Sequence, residues 1–487
     1  MNAQKNVTFV ISMKTLRLAA VVALLWANGI TVSNLIVNQA AGTVTFDISW
    51  QNSWRDAENW DAAWVFVKFR ECNVPKTITF THGLISTALN DHTFPASLQP
   101  TCANGNAPCI DPAPDNTGVM LRRTSNGFGT VSGTVTLRVT NLPATGNYDV
   151  RVIAIEMVFI PQGAFYAGDA TAPNSIRTST ADNSPIQITS EAALTTISDL
   201  GSGGNVSLTA NFRKGFAAFY IMKYEISQGQ YTDFLNTIGQ FQASNRFPNN
   251  YNNGRNRVGY NNVTTDYYTD RPDRAMNYIN WSDFVAYLDW AALRPLTELE
   301  YEKACRGPLA PVPNEFAWGT TVYGAGFTLS GAEDGTETFT DPGANMRRMT
   351  QNIAGGDGGD GPARVGIFAT PSTNTRAAAG ASYWGVLNLS DNVGEYYYRY
   401  TAGQSTRSPG NGIPWGDGNL DANGNANTPN WVITCNTTDV IVRGVTSSAL
   451  TQPYAAISGR GGASALWNAW NGDCAGRHPY MGGRGGR

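Results

Sequence analysis

Charged side chains are scarce in this sequence. They make up 15% of its 487 residues, and the formal net charge is −3, whereas about a quarter of the residues are charged in a typical globular domain. A nucleic-acid interface needs clustered lysine and arginine, so the composition argues against nucleic acid as a partner. The hydrophobic content of 42% is enough for a large core, and the length is enough for two or three domains.

Histidines and closely spaced cysteines are scarce as well. The sequence has three histidines and no CxxC motif, so a zinc site of standard spacing is not expected. Six cysteines are present, and they can form disulfides if the protein is exported. Cys102 and Cys109 enclose a loop that a bridge could close, and Cys435 could pair with Cys474 if their strands are neighbours. The sequence does not fix the pairing, and the remaining two cysteines have no evident partner.

Long apolar runs are also missing. No segment has the run of about 18 apolar residues that a transmembrane helix needs. Near the start, Lys14 and Arg17 precede a shorter apolar run from Leu18 to Trp26, which small residues follow. This order is typical of a secretory signal peptide. We therefore predict a signal peptide over residues 1–30 and a mature protein that is secreted or held at the cell surface without a transmembrane segment. The alternative is a buried N-terminal helix.

Glycine and aromatic residues, by contrast, are abundant. The 51 glycines and the many Trp, Tyr and Phe residues favour short strands and long ordered loops over a helical fold. Between Ile30 and Ile155, stretches of β-branched and aromatic residues alternate with turn-rich gaps. These stretches are TVTFDISW, AAWVFVKF, GTVTLRVTNL and NYDVRVIAI. We therefore predict an all-β, sandwich-like domain over residues 31–155, with a role in spacing, docking or assembly.

From residue 156 onward the pattern changes to a few helices among long loops. Apolar spacing predicts helices over residues 227–238, 281–294 and 296–307. A serine is positioned to cap the first helix, and a Thr-x-x-Glu capping box begins the third. Arg294 and Glu298 are candidates for a buried ion pair that would hold the fold rather than carry chemistry.

Five stretches between about Glu156 and Arg487 resemble, in order, the motifs of the formylglycine-generating enzyme (sulfatase-modifying factor) family. This family is a variant of the C-type lectin fold. The matching stretches are FIPQGAFYAGD, MKYEISQGQYTDFL, AMNYINWSDFVAYLDWAALRPLTELEYEKACRG, AWG and GVLNLSDNVGEYYY. The resemblance implies an α+β domain with long loops over residues 156–487, after the sandwich-like domain. It implies the fold more strongly than the activity, because one fold supports many functions.

The resemblance also implies two structural calcium ions. Calcium prefers about six to eight oxygen ligands, and the loop LNLSDNVGE is rich in oxygen-bearing side chains. The implied ligands are Asn388, Asp391 (backbone), Val393 (backbone) and Glu395 at the first site, and Asn345, Met346, Asp357 and Gly359 at the second, where Asp360 is a competing choice. The alternative is that these residues only make turns in Gly-rich loops.

A further implication of the resemblance is copper(I). Active family members hold it with two thiolates and use dioxygen to oxidise a substrate cysteine to formylglycine, and soft thiolates suit copper(I). Carried over from the paired glycines Gly461 and Gly462, the two cysteine positions are occupied by Leu466 and Asn471. Neither side chain can bind copper(I), and Cys474 stands alone nearby. Copper is therefore not expected, and we assign no catalytic residue.

The last stretch of the sequence is rich in Gly, Arg and Trp, and GGRGGR is expected to form the last strands of the fold. By the resemblance, Trp467, Trp470, Arg477 and Tyr480 fall on the face that cradles the substrate peptide in the enzymes. Tryptophan, tyrosine and arginine are the residues that binding hot spots use most. The alternative is that both tryptophans fill a core.

Two classes of function follow. The first is an exported, non-catalytic surface or extracellular protein that binds protein partners or assembles with copies of itself, as a filament subunit would. The second is a copper-dependent oxidase that acts on cysteine-containing peptides, which the fold favours and the two substituted positions oppose. A calcium-stabilised receptor for a ligand or a carbohydrate is a third interpretation. The missing thiols favour the first class, without choosing between receptor and building block.

Overall fold

The structure of the protein is a computed structural model. The structure describes residues 29–199, 205–324, 328–349, 351–370, 372–373, 375–399, 415–435, 439–444, 454–460 and 474–487. Within these ranges the fold is rich in β-structure, with many small sheets and four α-helices. Nearly all of the predicted signal peptide lies outside the described residues.

The first part of the chain forms eight strands. They are β1 (Ile30–Asn38), β2 (Thr43–Arg55), β3 (Asp61–Glu71), β4 (Thr81–His82), β5 (Leu98–Thr101), β6 (Val119–Arg123), β7 (Gly127–Arg138) and β8 (Tyr148–Ile160). A 3-10 turn at Leu89–Asp91 lies between β4 and β5. The four stretches that the sequence predicts as strands lie in β2, β3, β7 and β8, the third of them running past the end of β7.

Short strands and four helices follow. The strands are β9 (Phe165–Ala167), β10 (Ile176–Arg177), β11 (Ile186–Ile188), β12 (Leu194–Asp199), β13 (Val206–Leu208), β14 (Phe219–Met222), β15 (Val258–Asn261), β16 (Asp266–Thr269), β17 (Leu329–Ser330), β18 (Thr338–Phe339), β19 (Gly394–Tyr398), β20 (Val440–Arg443) and β21 (Met481–Gly482). The helices are α1 (Gln228–Thr237), α2 (Gln240–Arg246), α3 (Trp281–Trp290) and α4 (Glu298–Arg306).

Two sheets of the first part face each other. One has the strand order β1-β2-β7, and the larger one has the order β14-β8-β3-β6-β5, with β4 also paired to β3. Phe46 and Trp50 of the smaller sheet share a buried cluster with Val65 and Val67 of the larger one. The two sheets therefore pack face to face through apolar side chains.

The larger sheet also packs against the helices. Trp64 and Phe66 of β3 lie on its opposite face, in one buried cluster with Phe234 of α1 and Trp290 of α3. Residues Asp61–Phe69 of β3 are therefore buried on both faces. Strand β8 runs through residues 155 and 156, where the sequence places a domain boundary, and β14 pairs with its last residues. The division into two domains stays a prediction, but the two parts share this sheet.

The helix ends follow local signals in two cases and depart from them in a third. Ser227 caps α1 and Thr297 caps α4, each in a capping box with the residue three positions on. Helix α3 ends at Trp290, four residues before its predicted end, because Ala292 adopts a left-handed backbone conformation with φ of 54°.

The candidate pair of Arg294 and Glu298 does not form. Arg294 instead binds Glu300, with 2.7 Å between Nη2 and Oε1. Glu298 is bound by Arg443 and Arg460, which come from much later in the sequence. Both predicted residues are thus buried and charge-paired, but with other partners.

The segment Met481–Arg487, which we call the tail strand, pairs with several segments of the chain that follow β8. Its residues Met481 and Gly482 pair in parallel with β19. Further on, Arg487 exchanges two backbone hydrogen bonds with Tyr220 of β14, at 2.7 and 2.8 Å, and Gly486 exchanges two with Arg294, at 2.9 Å each. The tail strand therefore joins β14 to the chain after α3.

Glycines let the tail strand approach its neighbours closely. A Cβ atom added at Gly486 would lie 2.6 Å from the carbonyl oxygen of Tyr220, and one added at Gly485 would lie 2.3 Å from Leu288 of α3. Between the glycines, Arg484 is fully buried and donates from Nε to Glu395 of β19 at 2.7 Å. The alternation of glycine and arginine thus combines close backbone contact with buried charge.

Gly486→Ala tests the close backbone approach. We expect the free energy of unfolding to fall by about 1–3 kcal/mol, because the new methyl group overlaps a backbone carbonyl that cannot rotate away. Urea denaturation of the full chain measures this change. Gly163→Ala is the matched control, since a Cβ atom at Gly163 meets nothing within 4 Å, and its effect should stay within about 0.5 kcal/mol. Equal effects of the two substitutions would contradict the account.

Arg484→Met tests the buried charge. The substitution keeps the side-chain bulk but leaves Glu395 buried without its cation and close to Glu225, so we expect a loss of about 3–5 kcal/mol. Lys76→Met is the control, because Lys76 and Asp266 form an exposed pair with side chains 42% and 52% accessible. Such pairs contribute about 0–1 kcal/mol. A loss at Arg484 no larger than the control would show that the pair does not hold the tail strand.

Candidate functional site

A cleft of about 390 Å³ lies between three loops of the second part. The loop before β15 forms one wall, the loop of residues 357–360 forms another, and the residues just before the tail strand form the third. The lining residues are Asn252, Asn253, Gly254, Arg255, Arg257, Tyr278, Asp357, Gly358, Gly359, Asp360, Pro479 and Tyr480. Most of these groups are polar, and the two tyrosines add aromatic rings.

Buried arginines hold the loop of residues 357–360 in place. Arg274 donates to Asp357 at 2.8 Å, and Arg255 binds both Asp357 and the carbonyl oxygen of Gly358, the latter at 2.7 Å. Arg255 and Arg274 also share the carboxylate of Glu333. Arg255 and Arg274 therefore fix the position of the loop of residues 357–360, which forms one wall of the cleft.

The same contacts fix the charge of the cleft. Burial acts to raise the pKa of Asp357, but hydrogen bonding with Glu333 and the positive charge of Arg274 outweigh it and lower the pKa to about 2. A general acid or base works best with a pKa near the working pH. Asp357 is therefore a fixed negative charge rather than a proton-transfer group, and no cysteine, histidine or serine stands among the lining residues named above.

The rim of the cleft offers groups that can contact a ligand. Arg257 pairs with Asp270, donating from Nε at 2.8 Å, and its guanidinium lies 4.6 Å from the ring centre of Tyr251. Tyr480 is half-buried at the opposite side, and Asp360 is exposed. This combination of aromatic faces, an arginine and a carboxylate suits binding of a polar chain such as a peptide.

The predicted ligand-face residues divide into three groups. Tyr480 lines the cleft. Arg477 instead holds the fold, because it donates to both carboxylate oxygens of Asp283, at 2.6 and 2.9 Å, and to two backbone carbonyls. Trp467 and Trp470 lie outside the described residues.

The first predicted calcium site has its side chains engaged by other groups. The side-chain oxygen of Asn388 accepts from the amide of Gly366 at 2.6 Å, and its nitrogen donates to Asp391 at 3.1 Å. Val393 donates its backbone N–H to Glu225 at 3.0 Å. The charge of Glu395 is balanced by Arg484. Glu395, the acidic member of the predicted site, is thus paired with Arg484, and calcium binding at this loop stays a prediction.

The second predicted site is divided between two places. Asn345 accepts from Gly324 at 2.9 Å and donates to Ala377 at 2.8 Å, and Met346 packs among the aromatic rings of Phe316 and Trp318.

Asp357 is bound by arginines at the cleft, and the carbonyl oxygen of Gly359 accepts from Ile353 at 3.0 Å. Within the described ranges, no three His, Cys, Asp or Glu side chains converge as a metal site requires. Calcium binding therefore stays a prediction.

All six cysteines lie in the described part of the chain. Cys102 is joined to Cys109 and Cys435 to Cys474, with Cα–Cα distances of 5.2 and 5.6 Å. Cys305 is fully buried in α4, and burial raises the pKa of its thiol to about 12, whereas Cys72 is exposed.

A copper(I) site needs two thiolates together. Four of the cysteines are held in disulfides, and the Cys305 thiol stays protonated at neutral pH. The cysteines of the described chain therefore do not fit that ion. The two positions that the family resemblance assigns to copper, Leu466 and Asn471, lie outside the described residues.

Most of the cleft was not foreseen from the sequence. The loop of residues 252–257 and Tyr278 carry no motif, although the Asn-, Gly- and Arg-rich string NNGRNR is a signal for a structured polar loop. Tyr278 also has a positive φ of 58°, a conformation that is costly outside glycine and often occurs at functional sites.

Comparisons with known proteins agree with the resemblance. A family model for the sulfatase-modifying factor enzyme 1-like domain matches residues 149–400. The formylglycine-generating enzyme of Bos taurus is 25% identical over 170 residues, which cover 29% of this chain and 44% of that protein. The formylglycine-generating enzyme of Thermomonospora curvata is 30% identical over 128 residues, which cover 26% of this chain and 34% of that protein.

The matched regions are partial. This chain spans less than half of the length of either curated relative. A crystal structure of the group B streptococcus pilus 2b backbone protein covers 40% of this chain at 11% identity, but its TM-score of 0.12 carries no argument. The family match, by contrast, extends over more than half of the 487 residues, and the chain therefore belongs to the sulfatase-modifying factor enzyme 1-like family.

Proposed function

We propose that the protein is an exported, non-catalytic member of its family that binds a partner protein outside the cell. The observation that carries this proposal is the state of the cysteines. Four are joined in disulfides and a fifth is a buried, protonated thiol, so a pair of thiolates for copper is missing from the described chain. The family fold would then serve binding rather than oxidation.

Export is supported by two independent features. The sequence begins with the charged and apolar segments of a secretory signal. Disulfides persist in oxidising compartments and are rare in the cytosol, and this chain has two. Separately, no helix within the described ranges is long and apolar enough to cross a membrane.

The cleft is the part of the molecule that best suits a partner. Arg255 and Arg274 hold one wall of the cleft in place. The protein would therefore lose little conformational freedom when a ligand binds. Tyr480, Tyr278 and Arg257 provide aromatic and cationic contacts, and Asp360 provides an exposed carboxylate. We assign the cleft to an extended polar segment of a partner protein.

The proposed function also includes an arrangement of the two parts of the chain. We infer that residues 156–487 have the C-type-lectin-like arrangement of their family and that residues 31–155 act as a sandwich domain that spaces or docks the binding part. The shared sheet of β14, β8 and β3 supports a fixed orientation of one part to the other. In this account the predicted calcium ions are structural, and they would cross-link loops rather than bridge to a ligand.

The oxidase alternative is tested directly with the full chain. The purified protein, loaded with copper(I), is incubated in air with cysteine-containing peptides, and mass spectrometry follows conversion of cysteine to formylglycine. The Thermomonospora curvata relative serves as the positive control. We expect no conversion by this chain. Copper-dependent conversion would contradict the non-catalytic assignment.

Calcium is tested by chelation of the full chain. An ion bound at either predicted site stabilises only the folded state, so its removal should lower the melting temperature, and added calcium should restore it. Magnesium added in place of calcium is the control. An unchanged melting temperature would contradict the calcium prediction and would leave Arg484 as the cation that balances Glu395.

A further inference from the structure

Three charged side chains meet inside the larger sheet, on three adjacent strands. Asp61 begins β3, Glu156 lies on β8, and Lys223 follows β14. The Lys223 Nζ atom lies 3.1 Å from Oδ2 of Asp61 and 2.9 Å from Oε2 of Glu156. None of these three residues lines the cleft.

The cluster is isolated from water. The side chains of Lys223, Asp61 and Glu156 are 3%, 0% and 4% exposed. Aromatic rings enclose the amine, since Nζ lies 5.0 Å from the ring centre of Trp54 and 5.4 Å from that of Tyr224. A dry site of this kind strengthens electrostatic interactions and keeps reacting groups together.

The charges of the cluster do not cancel. Two carboxyl groups face one amine, and burial raises the pKa of both Asp61 and Glu156. Burial acts to lower the pKa of Lys223, but the two carboxylates outweigh it and raise that pKa. One carboxyl group can therefore carry a proton beside the amine, which gives the cluster a proton to move.

Asp61 is held by donors at both oxygens. Its Oδ1 atom accepts from the Ser53 hydroxyl at 2.8 Å and from the Trp54 backbone N–H at 3.1 Å. Its Oδ2 atom accepts from the Trp50 ring N–H at 3.2 Å. Such fixed donors would stabilise the negative charge that develops on oxygen when a nucleophile attacks the carboxyl carbon.

We propose that Lys223 and Asp61 form an intramolecular amide bond between Nζ and Cγ, with Glu156 as the group that transfers the proton. A proton first passes from Nζ to Oδ2 of Asp61, which lies 3.1 Å away. The neutral amine then attacks Cγ of the protonated carboxyl group, and the donors at Oδ1 hold the resulting oxyanion. Glu156 accepts a proton from Nζ and delivers it to the departing hydroxyl. The N–C bond forms, the C–O bond breaks, and one water leaves. No oxidant or reductant is required.

The bond would have a clear structural consequence. It would join β3 of the sandwich to the chain after β14, on either side of the middle strand β8. A covalent cross-link between distant parts of a chain stabilises the folded state by restricting the unfolded one. A protein exposed outside the cell would gain resistance to unfolding and proteolysis.

Peptide mapping of the native full chain tests the proposal. After reduction and denaturation, trypsin should not cleave after a cross-linked Lys223. The expected product is a branched species that joins residues 56–68 to residues 215–246, with the summed mass of the two peptides less one water. Lys76 and Asp266 are the internal control, since they form a closer pair, at 2.6 Å, on the surface, and cleavage after Lys76 should be normal.

Two variants test the chemistry. Glu156→Gln should abolish the branched species and yield the linear peptide that ends at Lys223, because the proton carrier is lost. Asp61→Asn should give the same branched mass as the native protein, because the amide forms with loss of ammonia instead of water. If either variant fails to fold, the native protein alone decides the question.

Two results would overturn the proposal. Quantitative recovery of the linear peptide ending at Lys223 from the native protein would show that the cluster is only a buried ion network. A branch that joins Lys223 to Glu156, or one that also appears at Lys76, would refute the assignment of Asp61 as the acceptor.

Discussion

The fold depends on burying the arginines of the tail strand without leaving their charges unpaired. Arg484 and Arg487 are almost completely buried, and a buried charge is costly unless it is paired and hydrogen-bonded. Arg484 meets the carboxylate of Glu395, and Arg487 stacks 3.8 Å above the ring of Trp64 and donates to the carbonyl oxygen of Ala292 at 2.8 Å. These contacts can form only when β3, β19 and the chain after α3 are already close together. The tail strand thus requires most of the fold to be assembled around it.

Buried pairs of arginine and carboxylate also occur elsewhere in the chain after β8. Arg443 and Arg460 bind the helix α4 carboxylates, and Arg255 and Arg274 bind the loop that forms a wall of the cleft. Loops rich in glycine have little apolar surface to bury. Buried ion pairs therefore hold these loops in position. At Glu395, which the family resemblance implies as a calcium ligand, Arg484 supplies a balancing positive charge. This is consistent with a rigid binding surface and needs no catalytic group.

The sequence predicted the features that depend on neighbouring residues. The strand pattern of AAWVFVKF, the N-cap at Ser227 and the capping box at Thr297 are local signals, and each agrees with the structure. The motif order gave the family. The early end of α3 was missed, because helix propensity does not show the left-handed conformation of Ala292, whose carbonyl oxygen accepts from the distant Arg487.

Features that join distant residues were not predictable. Glu298 binds Arg443 rather than Arg294, and Lys223 meets Asp61, which lies far away in sequence, only because β14, β8 and β3 are neighbours. The cleft has the same origin, since Arg255 binds residues 357–358 and Asn277 donates to the carbonyl oxygens of Gly254 and Pro479. Contacts between residues that are far apart in the sequence cannot be predicted from periodicity or motif spacing.

The most direct test of the central claim is hydrogen–deuterium exchange of the peptide that contains residues 484–487 in the native protein. If the tail strand is an internal strand, the amides of Gly486 and Arg487, which bond to Arg294 and Tyr220, will exchange as slowly as the amides of β3. Exchange as fast as in an unstructured peptide would show that the segment is peripheral, and the account of a fold assembled around it would be wrong.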